Sequence, residues 1–149
     1  MNDKASPEAF PGQYDIFAQS KGLTFWQTFL EWQRQSNAIL SPFDLTQPQF
    51  SVLAAIGWSA AQGHIVRQQD VSNFLKMDRM LVSQIVRKLE TKAFLSRMKS
   101  EVDKRSSTLF LSETGKRTLQ KCVPIIEDFD EKFFDSHRQV QPQLNVNTS

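Results

Sequence analysis

Apolar residues return every three or four positions along most of this chain, which predicts amphipathic helices, and one short interval between them reads as paired strands. After a polar, proline-containing arm to about Ser20, the stretch "LTFWQTFLEWQRQSNAIL" sets Leu23, Trp26, Phe29, Leu30, Ile39 and Leu40 around a helix. Phe25, Trp26, Phe29 and Trp32 crowd two turns of it, so its apolar surface is wider than a single stripe and a second face is expected to need cover. Pro42 in "SPFDLTQ" is a stop signal, and Thr46 is the expected N-cap, with Pro48 in the first turn, of a second helix from about Gln47 to Ala61. Gly63 stands where a C-terminal glycine is expected, and "HIV" at 64–66 reads as a short strand.

From Gln68 the spacing of Val71, Phe74 and Leu75 predicts a short helix, and Asp78 is placed to cap a longer one reaching about Lys92. Val82, Ile85, Val86 and Leu89 share one face of that helix, while Arg79, Met80, Ser83, Gln84, Arg87 and Lys88 fall largely on the other. The strand-like stretches 94–100 and 108–111 then enclose "EVDKR", which is too charged to bury cheaply and is expected at the exposed tip of a hairpin. Two helices with a tight turn, followed by such a hairpin, make a winged helix-turn-helix. Ser112 caps a last long helix with Leu119, Cys122, Val123, Ile126, Phe129 and Phe133 on one stripe, which Pro124 is expected to kink. The expected fold class is therefore mainly α with a small β-hairpin wing.

Composition narrows the function. With 149 residues, 40% of them hydrophobic, the chain has the apolar mass for one domain. Cys122 is the only cysteine and His64 and His137 the only histidines, so no intrachain disulfide and no metal-ligand spacing can be assembled, and no metal or cofactor is expected. The N-terminus has no basic segment followed by an apolar run, and no stretch approaches the roughly 18 apolar residues of a membrane span, so a cytoplasmic protein with no membrane partner is expected. The net charge of +2 conceals a basic middle: positions 64–117 hold twelve Lys and Arg against six Asp and Glu, a net of +6, and the flanks carry −4. Such a segment suits a polyanion, or else a solvated helical face of mixed charge. Catalysis would need a nucleophile with its base, paired carboxylates or a phosphate loop. None is evident, and Gly115-Lys116 lacks the upstream glycine of a phosphate loop, so no enzyme and no catalytic residue is expected.

Four segments in order, "LTQPQFSVLAAI", "MDRMLVSQIVRKLETKAFLSR", "DKRSSTLFLSETGK" and "VPIIEDFDEKFF", resemble the MarR family of bacterial transcription regulators across roughly residues 45–134. The resemblance implies a homodimer interlocked by its first and last helices, each subunit presenting a winged helix-turn-helix, and repression relieved by a ligand or oxidant. It divides the chain into a flexible arm at 1–20 and a single domain at 21–149. The winged helix-turn-helix would occupy about 45–112 and the dimerisation helices about 21–40 and 112–136. Asp103 and Arg105 match the family's D-x-R wing motif, so Asp103 would orient Arg105 toward a minor groove, where narrow A·T-rich stretches concentrate negative potential. One departure is Ala93, where the family usually has glycine. A left-handed residue there would cost about 1 kcal/mol relative to glycine, so a different helix end is expected.

On the expected recognition helix, Gln84 suits a bidentate contact to adenine, Arg87 one to guanine or phosphate, and Met80 a thymine methyl, while Arg79, Ser83 and Lys88 add polar reach to the backbone. Arg67, Gln68 and Gln69 are placed for phosphates from the preceding helix, as are Lys99 and Lys104 on the wing. Trp26, Phe29, Trp32 and Trp58, with Phe25, are candidates for a pocket holding a small aromatic ligand, although such rings more often form core. Cys122 reads as a small buried hydrophobe rather than a redox sensor. The expected function is a ligand-responsive repressor that binds double-stranded DNA at a pseudo-palindrome. The alternative is a winged-helix protein-interaction module that captures another regulator and does not bind DNA.

Overall fold

The computed structural model describes residues 11–12, 19–101 and 106–137. Among these residues five α-helices and one hairpin follow in the order α1 (Lys21–Leu40), α2 (Gln47–Ala61), α3 (Gln68–Leu75), α4 (Arg79–Thr91), β1 (Leu95–Lys99), β2 (Ser107–Leu111) and α5 (Glu113–Ser136), with a short 3-10 helix at Ser41–Phe43 between α1 and α2. Mainly helical structure with one antiparallel hairpin is the winged helix-turn-helix expected.

Local chemistry sets the boundaries. Ser20 accepts from the Leu23 amide to open α1, and Thr46 and Gln49 cap α2 reciprocally in a capping box. Asp78 Oδ1 accepts from the Met80 and Leu81 amides at 2.8 and 3.3 Å to open α4, and Ser112 Oγ accepts from the Gly115 amide at 3.0 Å to open α5. Gly63 ends α2 with φ +82°, as a C-terminal glycine should. The expectation at Ala93 is corrected: the residue takes the left-handed conformation itself, with φ 61°, rather than ending α4 another way. The geometry holds because Ala93 N–H donates to the Glu90 carbonyl at 3.0 Å while Ser112 Oγ donates to the Ala93 carbonyl at 2.6 Å. The strand expected at 64–66 is also corrected. It shrinks to a single bridge between Arg67 and Thr108, with Leu109 N–H donating to the Val66 carbonyl at 2.8 Å.

α2 lies at the centre, touching α1, α3, α4, α5 and β2. Its Val52, Leu53 and Ile56 meet Val82, Val86 and Leu89 of α4, Val71 of α3 and Cys122 and Ile126 of α5 in one continuous buried cluster. β1 and β2 pair antiparallel, Leu95 opposite Leu111 and Lys99 opposite Ser107, and Leu95 and Leu109 point inward to complete that core. α1 packs on α5, tied by the Trp32 indole N–H donating to Asp130 Oδ1 at 2.7 Å. α5 runs unbroken through Pro124, which gives no N–H to the helical ladder.

α1 leaves its second apolar face uncovered within one chain, with Phe25 61% and Trp26 57% exposed and Phe29 and Leu30 beside them. Among the described residues no helix is long and apolar enough to cross a membrane, and no cluster of three or more His, Cys, Asp or Glu is placed to hold a metal ion.

Candidate nucleic-acid interface

α4 buries Val82, Ile85, Val86 and Leu89 against the core, and the same 3.6-residue period turns Arg79, Met80, Gln84, Arg87 and Lys88 to solvent. Met80 is 71% exposed, although burial would favour it, so its side chain is free to meet a partner. Arg67 precedes α3, held as Arg67 N–H donates to Asp70 Oδ2 at 3.0 Å, and its side chain is exposed. Lys99 is exposed at the far end of β1. Asp103, Lys104 and Arg105 lie outside the described residues.

Four elements converge on a polar groove of about 270 Å³. Gln68 and Gln69 reach it from the first turn of α3, Arg79 and Ser83 from the first turns of α4, and Arg97 and Ser107 from the two strands. The guanidinium groups of Arg79 and Arg97, with the amide and hydroxyl donors of Gln68, Gln69, Ser83 and Ser107 beside them, favour an anion in this groove.

Arg97 and Ser107 are residues that sequence reasoning missed as candidates. Arg97 Nε and Nη2 donate to Glu90 Oε2 and Oε1 at 3.1 and 2.9 Å, a two-pronged grip that leaves the rest of the guanidinium's donors for the groove. The hydrogen bonds from Arg97 hold the Glu90 carboxyl below its ordinary range, and the same contact pushes the Arg97 guanidinium further up. A seven-residue separation across a turn has no periodic signature. The only available signal was opposite charge on either side of "TKAFLS".

The four candidate ring residues are not brought together. Phe29 and Trp32 form a tilted pair at 6.0 Å, Trp32 also meets Phe134 at 6.5 Å, and Trp58 stacks on Phe74 of α3 at 5.6 Å and 17°. A larger apolar groove of about 750 Å³ lies elsewhere, walled by Gly57, Ala61, Ile65, Met98 and Phe110 with Lys116 at its edge, and none of the four rings lines it. Cys122 is fully buried, and desolvation pushes its thiol pKa up, which makes the reactive thiolate scarce. Trp32 donates to Asp130, yet burial still raises that carboxyl's pKa, with Glu127 and Glu131 adding to the rise.

The fold and this basic, groove-bearing face define a winged helix-turn-helix transcription regulator. The family model described as the MarR family matches residues 45–107. The HTH-type transcriptional regulator YdcH of Bacillus subtilis is 38% identical over 115 residues, covering 77% of this chain and 78% of that one. An HTH-type regulator of Bacillus cereus is 26% identical over 118 residues, covering 76% of each chain. The chain belongs to the MarR family, one of regulators rather than enzymes. Among solved structures, a Staphylococcus aureus MepR–DNA complex is similar with TM-score 0.72 at 20% identity, over 78% of this chain and 84% of that one. A mutant Escherichia coli MarR complexed with operator DNA has TM-score 0.71 at 22% identity, over 83% and 87%. At such identities the likeness concerns the fold.

Proposed function

We propose that this regulator binds a pseudo-palindromic operator in double-stranded DNA as a homodimer and represses transcription in the cytoplasm. The observation that carries the reading is the convergence of α3, α4 and both strands on one polar groove beside an exposed, donor-rich face of α4. Gln84 and Arg87 would read base edges in the major groove, with Met80 against a thymine methyl. Arg67, Gln68, Arg79, Ser83, Lys88, Lys99 and Lys104 would hold phosphates, and Arg105, oriented by Asp103, would enter the minor groove. MepR and E. coli MarR, whose fold this chain shares, have been crystallised on DNA, which supports the same use of the face here.

Dimerisation would cover the exposed Phe25, Trp26, Phe29 and Leu30 of α1 together with Ile125 of α5, leaving residues 1–20 as an arm on a single domain. Release by a small aromatic ligand completes the reading. The scattered rings weaken Trp26, Phe29, Trp32 and Trp58 as its site, and the 750 Å³ groove is the better lined cavity.

A gel shift of the full chain on the DNA upstream of its own gene tests this directly. A discrete shifted band that excess random duplex fails to compete away is the expected result. Shifts equally competed by random DNA, with protein capture in their place, would favour the interaction-module reading. Sedimentation should give a dimer at micromolar concentration, and a monomer there would remove the two-fold operator from the account.

A further inference from the structure

Lys92 follows the last turn of α4, yet its side chain turns away from the face proposed for DNA and into the corner between α1 and α2. Its Nζ donates to the Asp44 backbone carbonyl at 2.7 Å and to Gln49 Oε1 at 3.1 Å, and lies 3.3 Å from Asp44 Oδ1. Two of the ammonium's three donors are therefore spent on hydrogen bonds into this corner, and the Asp44 carboxylate adds an ion pair beside them.

The acceptors are themselves fixed. Asp44 is held in the left-handed conformation, φ 56°, by its own N–H donating to the Ser41 carbonyl at 3.0 Å. Gln49 is buried, and its Oε1 also receives the Thr46 N–H at 3.1 Å within the capping box that opens α2. Against α1 and α2, α4 otherwise rests on the core through Val82, Ile85, Val86 and Leu89, contacts that resist separation but are weakly directional, while the Glu90–Arg97 pair ties α4 to β1 instead. Hydrogen bonds are directional, so the lysine supplies the orientation that apolar packing leaves loose. The corner it grips is where the chain leaves α1, the helix of the proposed dimer frame.

We infer that Lys92 is a positioning residue that fixes the angle of the recognition helix against the dimer frame, and thereby sets which half-site spacing the dimer accepts. This rests on the DNA-binding reading above. In a two-fold dimer the separation of the two recognition helices follows from that angle, so loosening it lets wrongly spaced half-sites compete.

The test uses the full chain with Lys92→Met or Lys92→Arg, each checked for cooperative melting. The unsubstituted protein first enriches a duplex from a random pool, and that duplex is then rebuilt with one base pair added or removed between its half-sites. Lys92→Met should bind the enriched duplex several-fold more weakly, because the looser helix must then be ordered on binding. Its salt dependence should not change, and its preference for the original spacing should shrink several-fold. Lys92→Arg, which keeps cationic donors, should restore most of both. A salt slope reduced by about 1 would make Lys92 a phosphate contact and overturn the inference, as would full spacing preference in Lys92→Met. A DNA-free arm places nitroxide labels at Arg34→Cys and Arg87→Cys in a Cys122→Ser background. The distance distribution should broaden with Lys92→Met and narrow again with Lys92→Arg. An unchanged distribution refutes the lock even where no duplex is enriched, a result that by itself would refute only the DNA-binding reading.

Discussion

Glu90→Gln keeps the side chain's volume but removes the charge that Arg97 grips through Nε and Nη2. The Glu90 and Arg97 side chains are 38% and 28% exposed, so water screens the pair, and its contribution is about 1 kcal/mol rather than that of a buried ion pair. In a domain of this size that corresponds to about 3 °C in Tm. Because Arg97 lowers the Glu90 pKa in the folded chain, the stabilisation is present above the unfolded carboxyl's pKa and is lost as pH falls through the lower folded value. Glu90→Gln should therefore melt about 3 °C below the parent at pH 7, and the gap should begin to narrow once the pH drops below about 4, the unfolded carboxyl's range, and vanish only beneath the lower folded value. A DNA titration gives an independent reading. Removing an acid beside a polyanion tightens binding by electrostatics alone, whereas a Glu90 that aims Arg97 into the polar groove predicts weaker binding. Destabilisation equal at both pH values, combined with tighter binding, would refute the reasoning.

Ala93→Gly should raise stability by about 0.5–1 kcal/mol in urea denaturation, since glycine takes φ 61° without the cost alanine meets there, offset in part by its freer unfolded chain. Gly115→Ala should destabilise by about 1–3 kcal/mol despite alanine's better helix propensity, because its Cβ would meet the Phe94 backbone carbonyl, which has little room to retreat; a neutral result would mean that α5 and the turn before β1 part easily. Gln84→Ala should cost about 1–3 kcal/mol on the preferred DNA site and flatten the preference at one or two positions, so an equal loss on random duplex would make Gln84 a backbone contact. Cys122 should react with a thiol reagent only as the chain unfolds, and peroxide should leave DNA binding unchanged; rapid labelling of the folded protein would contradict its burial.

Much of the fold was legible because it is written in neighbouring residues. The caps Thr46, Asp78 and Ser112 act on amides two or three positions ahead, and the α4 stripe of Val82, Ile85, Val86 and Leu89 repeats with the helix itself. Ala93 was misjudged because a propensity cost was weighed without the Ser112 hydroxyl that anchors its carbonyl from across the fold. The ring residues are grouped by composition in the sequence, yet Trp32 turns toward α5 and Trp58 toward α3, a division that only the packing of four helices decides. Arg97 and Lys92 stayed out of view for the same reason. Their partners Glu90, Asp44 and Gln49 are joined to them by tertiary contact, 48 residues apart in the case of Asp44.

Hydroxyl-radical footprinting of the full chain on the DNA upstream of its own gene tests the central claim most directly. The account predicts two protected half-sites related by a pseudo-two-fold axis, with centres about one helical turn or 34 Å apart, and loss of both protections together in Gln84→Ala. Protection of a single half-site, or uniform protection that fades with salt and ignores Gln84→Ala, would contradict it.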